Sequence, residues 1–219
     1  MTQHDFAKKF CSDNDLRPHF QHPIVINRNN VKHVAATNTY CLVTFPDKDG
    51  TVSKYEESLE KQIIQVLDSK PLFDTPKTIQ VSELQKAIDS LPLIPEMDGE
   101  EIECPECEGE GEIECEECGH TYTCKTCKGE GIIDKSKPTG RMICDVNAYV
   151  KIGNSIYRGC RVQEMMTAID YANVDIISHI KGDDALSSAV FMIGQIEMLV
   201  MPCVVDEHDT ICYTVKYND

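Results

Sequence analysis

Six of the twelve cysteines are spaced for metal chemistry, as three Cys-x-x-Cys pairs: Cys104/Cys107, Cys115/Cys118 and Cys124/Cys127. Such a turn presents two thiolates from one side, and two turns can close a tetrahedron around Zn²⁺. The first pair reads Cys104-Pro105-Glu106-Cys107-Glu108-Gly109-Glu110-Gly111 and the last Cys124-Lys125-Thr126-Cys127-Lys128-Gly129-Glu130-Gly131. Both are copies of Cys-x-x-Cys-x-Gly-x-Gly, whose glycines permit the positive backbone dihedrals of a tight knuckle. The segment is too polar to build its own core, so ligand binding would supply its folding free energy. The spacing predicts one zinc on Cys104, Cys107, Cys124 and Cys127, because the 16 residues between Cys107 and Cys124 suit an antiparallel hairpin. Pairing Cys115/Cys118 with Cys124/Cys127 would leave only five residues to turn. Cys115 and Cys118 are candidates for a second zinc together with His120; the other reading is that they are reduced thiols that close the hairpin. A third reading, a redox dithiol, is opposed by the acidic neighbours, which raise thiol pKa and lower reactivity.

These residues resemble the zinc-binding region of DnaJ-type co-chaperones, whose signature is the same eight-residue repeat. That family carries four repeats and two zinc sites. Here two full repeats flank a middle pair without both glycines in place, and no His-Pro-Asp motif is found. The resemblance implies a zinc-dependent protein-binding element.

The charge around the pairs is lopsided. The chain carries a formal −16, and residues 96–117 hold 12 acidic side chains and no basic one. Such a stretch repels phosphate, so it is expected to contact not nucleic acid but a basic protein partner, or else to be a solvated linker. The other six cysteines (Cys11, Cys41, Cys144, Cys160, Cys203, Cys212) are scattered, mostly in apolar runs, and read as small buried hydrophobes. The histidines other than His120 (His4, His19, His22, His33, His179, His208) read as surface or turn residues. No Ser/His/Asp arrangement stands out, and Gly109-x-Gly111 and Gly129-x-Gly131 lack the context of phosphate loops. The expectation is a protein that is not an enzyme. Absence of a secretion-signal pattern and of a membrane-length apolar run, with paired thiols, points to a cytoplasmic protein of a bacterial or phage-infected cell.

The elements that must position the cysteines are read from periodicity. Residues 2–10 predict a short helix with Phe6 and Phe10 on one face. Ile24 to Ile26, Val31 to Ala36 and Tyr40 to Phe45 predict strands, with a turn at Asn29-Asn30. Leu59, Ile63, Val66 and Leu67 recur at helical spacing up to Pro71. A second helix is predicted from Ser82, capped by its hydroxyl with Gln85 completing a capping box. Pro92 and Pro95 open an acidic linker, and Lys135 to Gly140 reads as a second linker. Met142 to Val150 alternates as one half-buried strand. Val162, Met165, Met166 and Ile169 predict a helix, followed by strands at 174–180, 189–193, 196–201 and 211–215 with a turn at Gly194-Gln195. The pattern is α+β with antiparallel hairpins. It divides into 1–95, an insert at 96–140, and 141–219.

Outside the insert the chain is similar to a DNA sliding-clamp domain of phage or mobile-element type. The carrying residues are Asp15-Leu16-Arg17-Pro18, Pro23-Ile24-Val25-Ile26 and Val34-Ala35-Ala36-Thr37-Asn38, then Val162 to Ala172, Val174 to Ile180 and the closing Glu197-Met198-Leu199-Val200-Met201-Pro202. The resemblance implies a single clamp-like domain of antiparallel sheets and a few helices. It further implies a role in DNA replication or processing, several copies closing a ring, and duplex DNA held through helix-borne Lys and Arg. The alternative reading is a zinc-dependent scaffold or co-chaperone-like module that does not touch DNA.

Overall fold

A computed structural model describes residues 1–14, 16–50, 52, 56–69, 72–115, 118–183, 187–206 and 208–218. Asp15 and Pro71 therefore lie outside the described residues. The chain forms two compact units, one of Met1–Pro92 with Asp145–Asp219 and a smaller one of Leu93–Cys144.

The larger unit is α+β and mostly antiparallel. Thr2 caps α1 (Gln3–Lys8) through a reciprocal capping box with Asp5. Strands β1 (Ile24–Arg28), β2 (Val31–Thr37) and β3 (Cys41–Pro46) follow. Asn29 and Asn30 both take positive φ between β1 and β2, as a two-residue hairpin turn requires. Next come α2 (Glu57–Asp68), β4 (Lys77–Gln80) and α3 (Val81–Asp89). The unit resumes after the insert with β11 (Tyr149–Ile152), β12 (Ser155–Arg158), α4 (Gly159–Ala172), β13 (Ile176–Lys181), β14 (Ala189–Ile193), β15 (Ile196–Val200) and β16 (Ile211–Val215).

A seven-stranded sheet runs β1-β2-β3-β15-β14-β13-β4, with every neighbouring pair antiparallel. A helix followed by three antiparallel strands thus occurs twice, as α1-β1-β2-β3 and α4-β13-β14-β15, and the two halves meet where β3 pairs with β15. Phe6 of α1 stacks on Tyr171 of α4 with ring centroids 4.0 Å apart. On another part of the sheet, Leu59, Ile63 and Leu67 of α2 pack with Ile24, Ile26 and Leu199. Arg28 ties these elements together by pairing with Glu197 of β15 and, at 2.7 Å, with Asp68 of α2. A smaller sheet, β12-β11-β16, contains a parallel pair, β11 with β16. No helix among the described residues is long and apolar enough to cross a membrane.

The smaller unit is a succession of paired short strands: β5 (Leu93–Asp98) with β10 (Lys137–Cys144), β6 (Glu101–Glu103) with β9 (Ile132–Asp134), and β7 (Glu112–Glu114) with β8 (Thr121–Thr123). Both stretches expected as linkers are therefore paired strand over part of their length. Lys137 lies opposite Asp98, and Ile94 opposite Ile143, so charge and apolar complementarity across the ribbon replace the expected coil. The compact smaller unit accordingly runs from Leu93 to Cys144. The expected single strand from Met142 to Val150 is two, because the Asp145 carboxylate accepts from Asn147 N at 2.9 Å and its carbonyl from Ala148 N at 3.1 Å. That local turn outcompetes the strand. The capping box at Ser82 does not form either. Helix α3 starts one residue earlier, with Gln80 at its N-cap and no side-chain cap.

Candidate metal centre

Each full copy of the eight-residue repeat folds as a knuckle, and the two knuckles hold one another. Cys104 N donates to Gly131 O at 2.8 Å and Cys124 N donates to Gly111 O at 2.8 Å, so the first residue of each copy bonds to the last residue of the other. Glu108 and Lys128, each directly after the second cysteine, take left-handed φ of 52° and 55°. Gly111 and Gly131 have φ of 78° and 74°, and a Cβ on either would run into the backbone carbonyl of Gly129 or Gly109. The last glycine of each repeat is thus required by close approach of the two backbones as well as by its dihedral.

This exchange brings four sulfurs together. Cys104 Sγ lies 3.7 Å from Cys124 Sγ and Cys107 Sγ 3.6 Å from Cys127 Sγ, and all four lie within 4.8 Å of one another. A tetrahedral centre with Zn–S bonds of ~2.3 Å has S–S edges of ~3.8 Å. The four cysteines fit such an ion and can hold a metal. Cys104 and Cys124 are fully buried, Cys107 and Cys127 nearly so, and Ile113 and Ile133 pack against them.

A second layer supports negative charge on the sulfurs. Gly111 N donates to Cys107 Sγ at 3.2 Å and Gly131 N to Cys127 Sγ at 3.3 Å. Burial opposes ionisation of Cys127, but the N–H groups of Gly131 and Gly129 outweigh it and hold the thiol down to about 7. At Cys124 the backbone N–H of Cys127 favours the thiolate, while burial and the neighbouring thiols prevail and push it up to about 12. The Glu106 carboxylate lies 3.8 Å from Cys124 Sγ and also accepts from the Thr126 hydroxyl. Cys127 thus ionises readily while Cys107 and Cys124 resist, as crowded sulfurs do until a cation offsets their charge. Four protein sulfurs complete a tetrahedron, the donor set of structural rather than catalytic centres.

The other expected ligands are not brought to this cluster. Cys115 and His120 face each other at the end of the β7–β8 hairpin, where Cys115 N donates to His120 O at 2.9 Å and Gly119 N to Cys115 O at 2.8 Å. Cys115 is half-buried, Cys118 and His120 are exposed, and Glu116 and Glu117 lie outside the described residues. Among the described residues the buried four form the one group of three or more ligands placed to share an ion. Cys11 and Cys41 are buried, and burial first of all pushes their thiols up, Cys11 to about 11, so both sit as unreactive apolar groups.

His179 differs from its sequence-based placement. It is fully buried on β13 between Ile177 and Lys181, which share its face of the strand. Its Nε2 lies 2.7 Å from Gly182 O and 3.0 Å from Lys181 O, two groups that only accept, so Nε2 carries the proton and Nδ1 accepts from Tyr217 Oη at 2.7 Å. The ring stacks on Phe191 at 4.6 Å, and burial lowers its pKa. The alternation of β13 was the available signal, obscured by residues that are polar on the inward face. On α4, Arg161 pairs with Glu164 at 2.6 Å and lies 4.9 Å over the Tyr40 ring. Lys8 of α1 donates to Gln21 O at 2.5 Å.

No protein-family model matches the chain, and no curated protein matches it in sequence. Among solved structures it is similar to the beta sliding clamp of C. crescentus, at 10% identity and a TM-score of 0.45. It is similar also to the sliding clamp (DNA polymerase III subunit beta) of Bartonella birtlesii, solved bound to griselimycin, at 13% identity and a TM-score of 0.46. In both cases 92% of this chain is covered, and the chain spans about 62% of the clamp's length.

Proposed function

We propose that this chain is a zinc-binding accessory protein without catalytic activity, in which Zn²⁺ on Cys104, Cys107, Cys124 and Cys127 folds an acidic hairpin that docks a basic protein partner. The convergence of four sulfurs on tetrahedral spacing carries this reading. The surface around them supports it: the Glu-Ile-Glu strands β6 and β7 set exposed glutamates beside the buried cluster. Metal analysis of the full chain purified under reducing conditions tests the zinc. Bound zinc is expected in the unaltered chain and its loss from the buried cluster in Cys104→Ser. A metal-free chain whose smaller unit remains folded would sink the reading. Peptides of opposite net charge then test the partner, with basic ones binding and acidic ones not.

A second reading gives the larger unit a DNA role as a clamp-like domain in replication or processing. The observation that favours it is the repeated helix-and-three-strand half, with the two halves joined edge to edge at β3 and β15. Two of its helix-borne cations are engaged, Arg161 with Glu164 and Lys8 with a backbone carbonyl. Retention on closed circular duplex DNA, with release on linearisation, would establish a ring. Failure to bind either form would leave the zinc-dependent scaffold alone.

A further inference from the structure

We propose that one face of the β5–β10 ribbon docks a basic amphipathic helix of a protein partner, which rests on the docking reading above and gives it a place on the chain. The register puts Leu93 opposite Cys144, Pro95 opposite Met142 and Met97 opposite Pro138. Residues directly opposite share a face, as does every second residue of a strand, so these six side chains line one side of the ribbon. All six are apolar. Leu93 is 61% exposed, Met97 51% and Met142 55%, while Pro95 and Pro138 are exposed and Cys144 is half-buried. The reverse side is matched across the ribbon: Ile94 lies opposite Ile143, Asp98 opposite Lys137, and Glu96 accepts from the Thr139 hydroxyl at 2.7 Å. A contiguous exposed apolar surface marks an interaction site. A ribbon of two strands is also marginal in water until such a face is packed.

What covers that face follows from the ribbon's edges and its charge. Pro95 in β5 and Pro138 in β10 lack the N–H that strand addition needs, and the pairing is irregular between Pro138 and Met142. The ribbon is thus poorly suited to take up a further strand. A partner meets the face with side chains instead, and an amphipathic helix presents one apolar stripe for that purpose. From Leu93 to Met97 the face runs about 14 Å, the length of about nine helical residues. Where β10 bulges there is a hollow of about 410 Å³ lined by Glu96, Met97, Asp98, Thr139 and Arg141, two carboxylates against one guanidinium. Glu100, Glu101 and Glu103 continue the acidity along the chain, and all three are exposed. Lys and Arg flanking the apolar stripe of a helix find these carboxylates. A second copy of this chain would bring its own acidic run against them.

Titration of the full zinc-loaded chain with a synthetic Leu/Lys amphipathic helix, followed by NMR of labelled methionine methyls, tests this. The Met97 and Met142 methyls are expected to shift, while those of Met165 and Met198, buried in the larger unit, stay in place. A scrambled peptide of the same composition is expected to bind about tenfold more weakly or worse, and a Leu/Glu helix not at all. The Leu/Lys helix is expected to lose about tenfold or more against a chain carrying Met97→Gln and Met142→Gln at unchanged zinc content, with Met97→Leu retaining binding. Binding that leaves both methyls in place, or equal binding of the scrambled or Leu/Glu peptide, would overturn the proposal. The first two of those outcomes would still leave an acidic docking surface, and so the function proposed above, standing. Failure of both Leu/Lys peptides to bind the zinc-loaded chain would sink the two docking readings together. Shifts of Met97 and Met142 on concentrating the chain alone would assign the face to a second copy and overturn the helix.

Discussion

In the larger unit Phe6, Leu67, Ile79, Met165 and Phe191 are closed off from water, whereas in the smaller unit the buried side chains are, among the described residues, four cysteines. Each fully buried apolar side chain contributes about 1.5–3 kcal/mol, so the larger unit's stability is spread over dozens of them. A structural zinc contributes about 10–16 kcal/mol through a single ion. The first kind of core degrades by degrees as side chains are trimmed. The second is present or absent with its metal.

The largest test of that contrast is to remove the ion. With chelator, or in Cys124→Ser, hydrogen exchange at the amides of Cys104 and Cys124 is expected to lose its protection completely, while amides of β14 and β15 keep theirs. Persisting protection at Cys104 and Cys124 would break the comparison. Next in size is Phe191→Ala, expected to lower the unfolding free energy of the larger unit by about 3–5 kcal/mol in denaturant titration, with zinc content unchanged. Gly131→Ala follows. Its methyl meets the Gly109 carbonyl at a positive φ, a strain of about 1–3 kcal/mol, read as a weakening of zinc by roughly 5- to 150-fold in a competition titration. The smallest effect concerns pH. His179 sits with Tyr217, Asp183 and Lys77 around it, and burial holds its pKa below the 6.5 of the unfolded chain. The unfolded chain therefore takes up the proton first, so this contribution is complete above pH 6.5 and declines as pH falls through the folded value. It is expected to vanish in His179→Gln, followed by a fluorescent probe on the larger unit.

Much of this was readable from residue order. The cysteine pairing of 104/107 with 124/127 followed from spacing, because a hairpin of 16 residues has few ways to bring its ends together. The strands around Ile24, Val34 and Leu199 and the α4 stripe of Val162, Met165 and Ile169 followed from periodicity. Less readable was whatever a distant partner decides. Leu93 to Asp98 is acidic, holds a proline and became strand because Lys137 to Cys144 lies opposite. His179 went inward because carbonyls of Lys181 and Gly182 and the hydroxyl of Tyr217 meet its ring. The role of Gly111 and Gly131 as contact points between knuckles was also hidden, since the repeat explains them equally well as turn residues.

The seam between β3 and β15 has a consequence for the order of assembly. Cys41–Pro46 can zip onto β2 as soon as it exists, yet its other edge stays open until Ile196–Val200 arrives, with the whole smaller unit in between. Pairing across such a long chain separation is slow. The metal hairpin needs nothing beyond Gly131, so during synthesis it can mature while half of the large sheet is still missing. Until β15 takes its place, the exposed edge of β3 is a template for any passing strand, and the window closes only as the last stretch of sheet emerges.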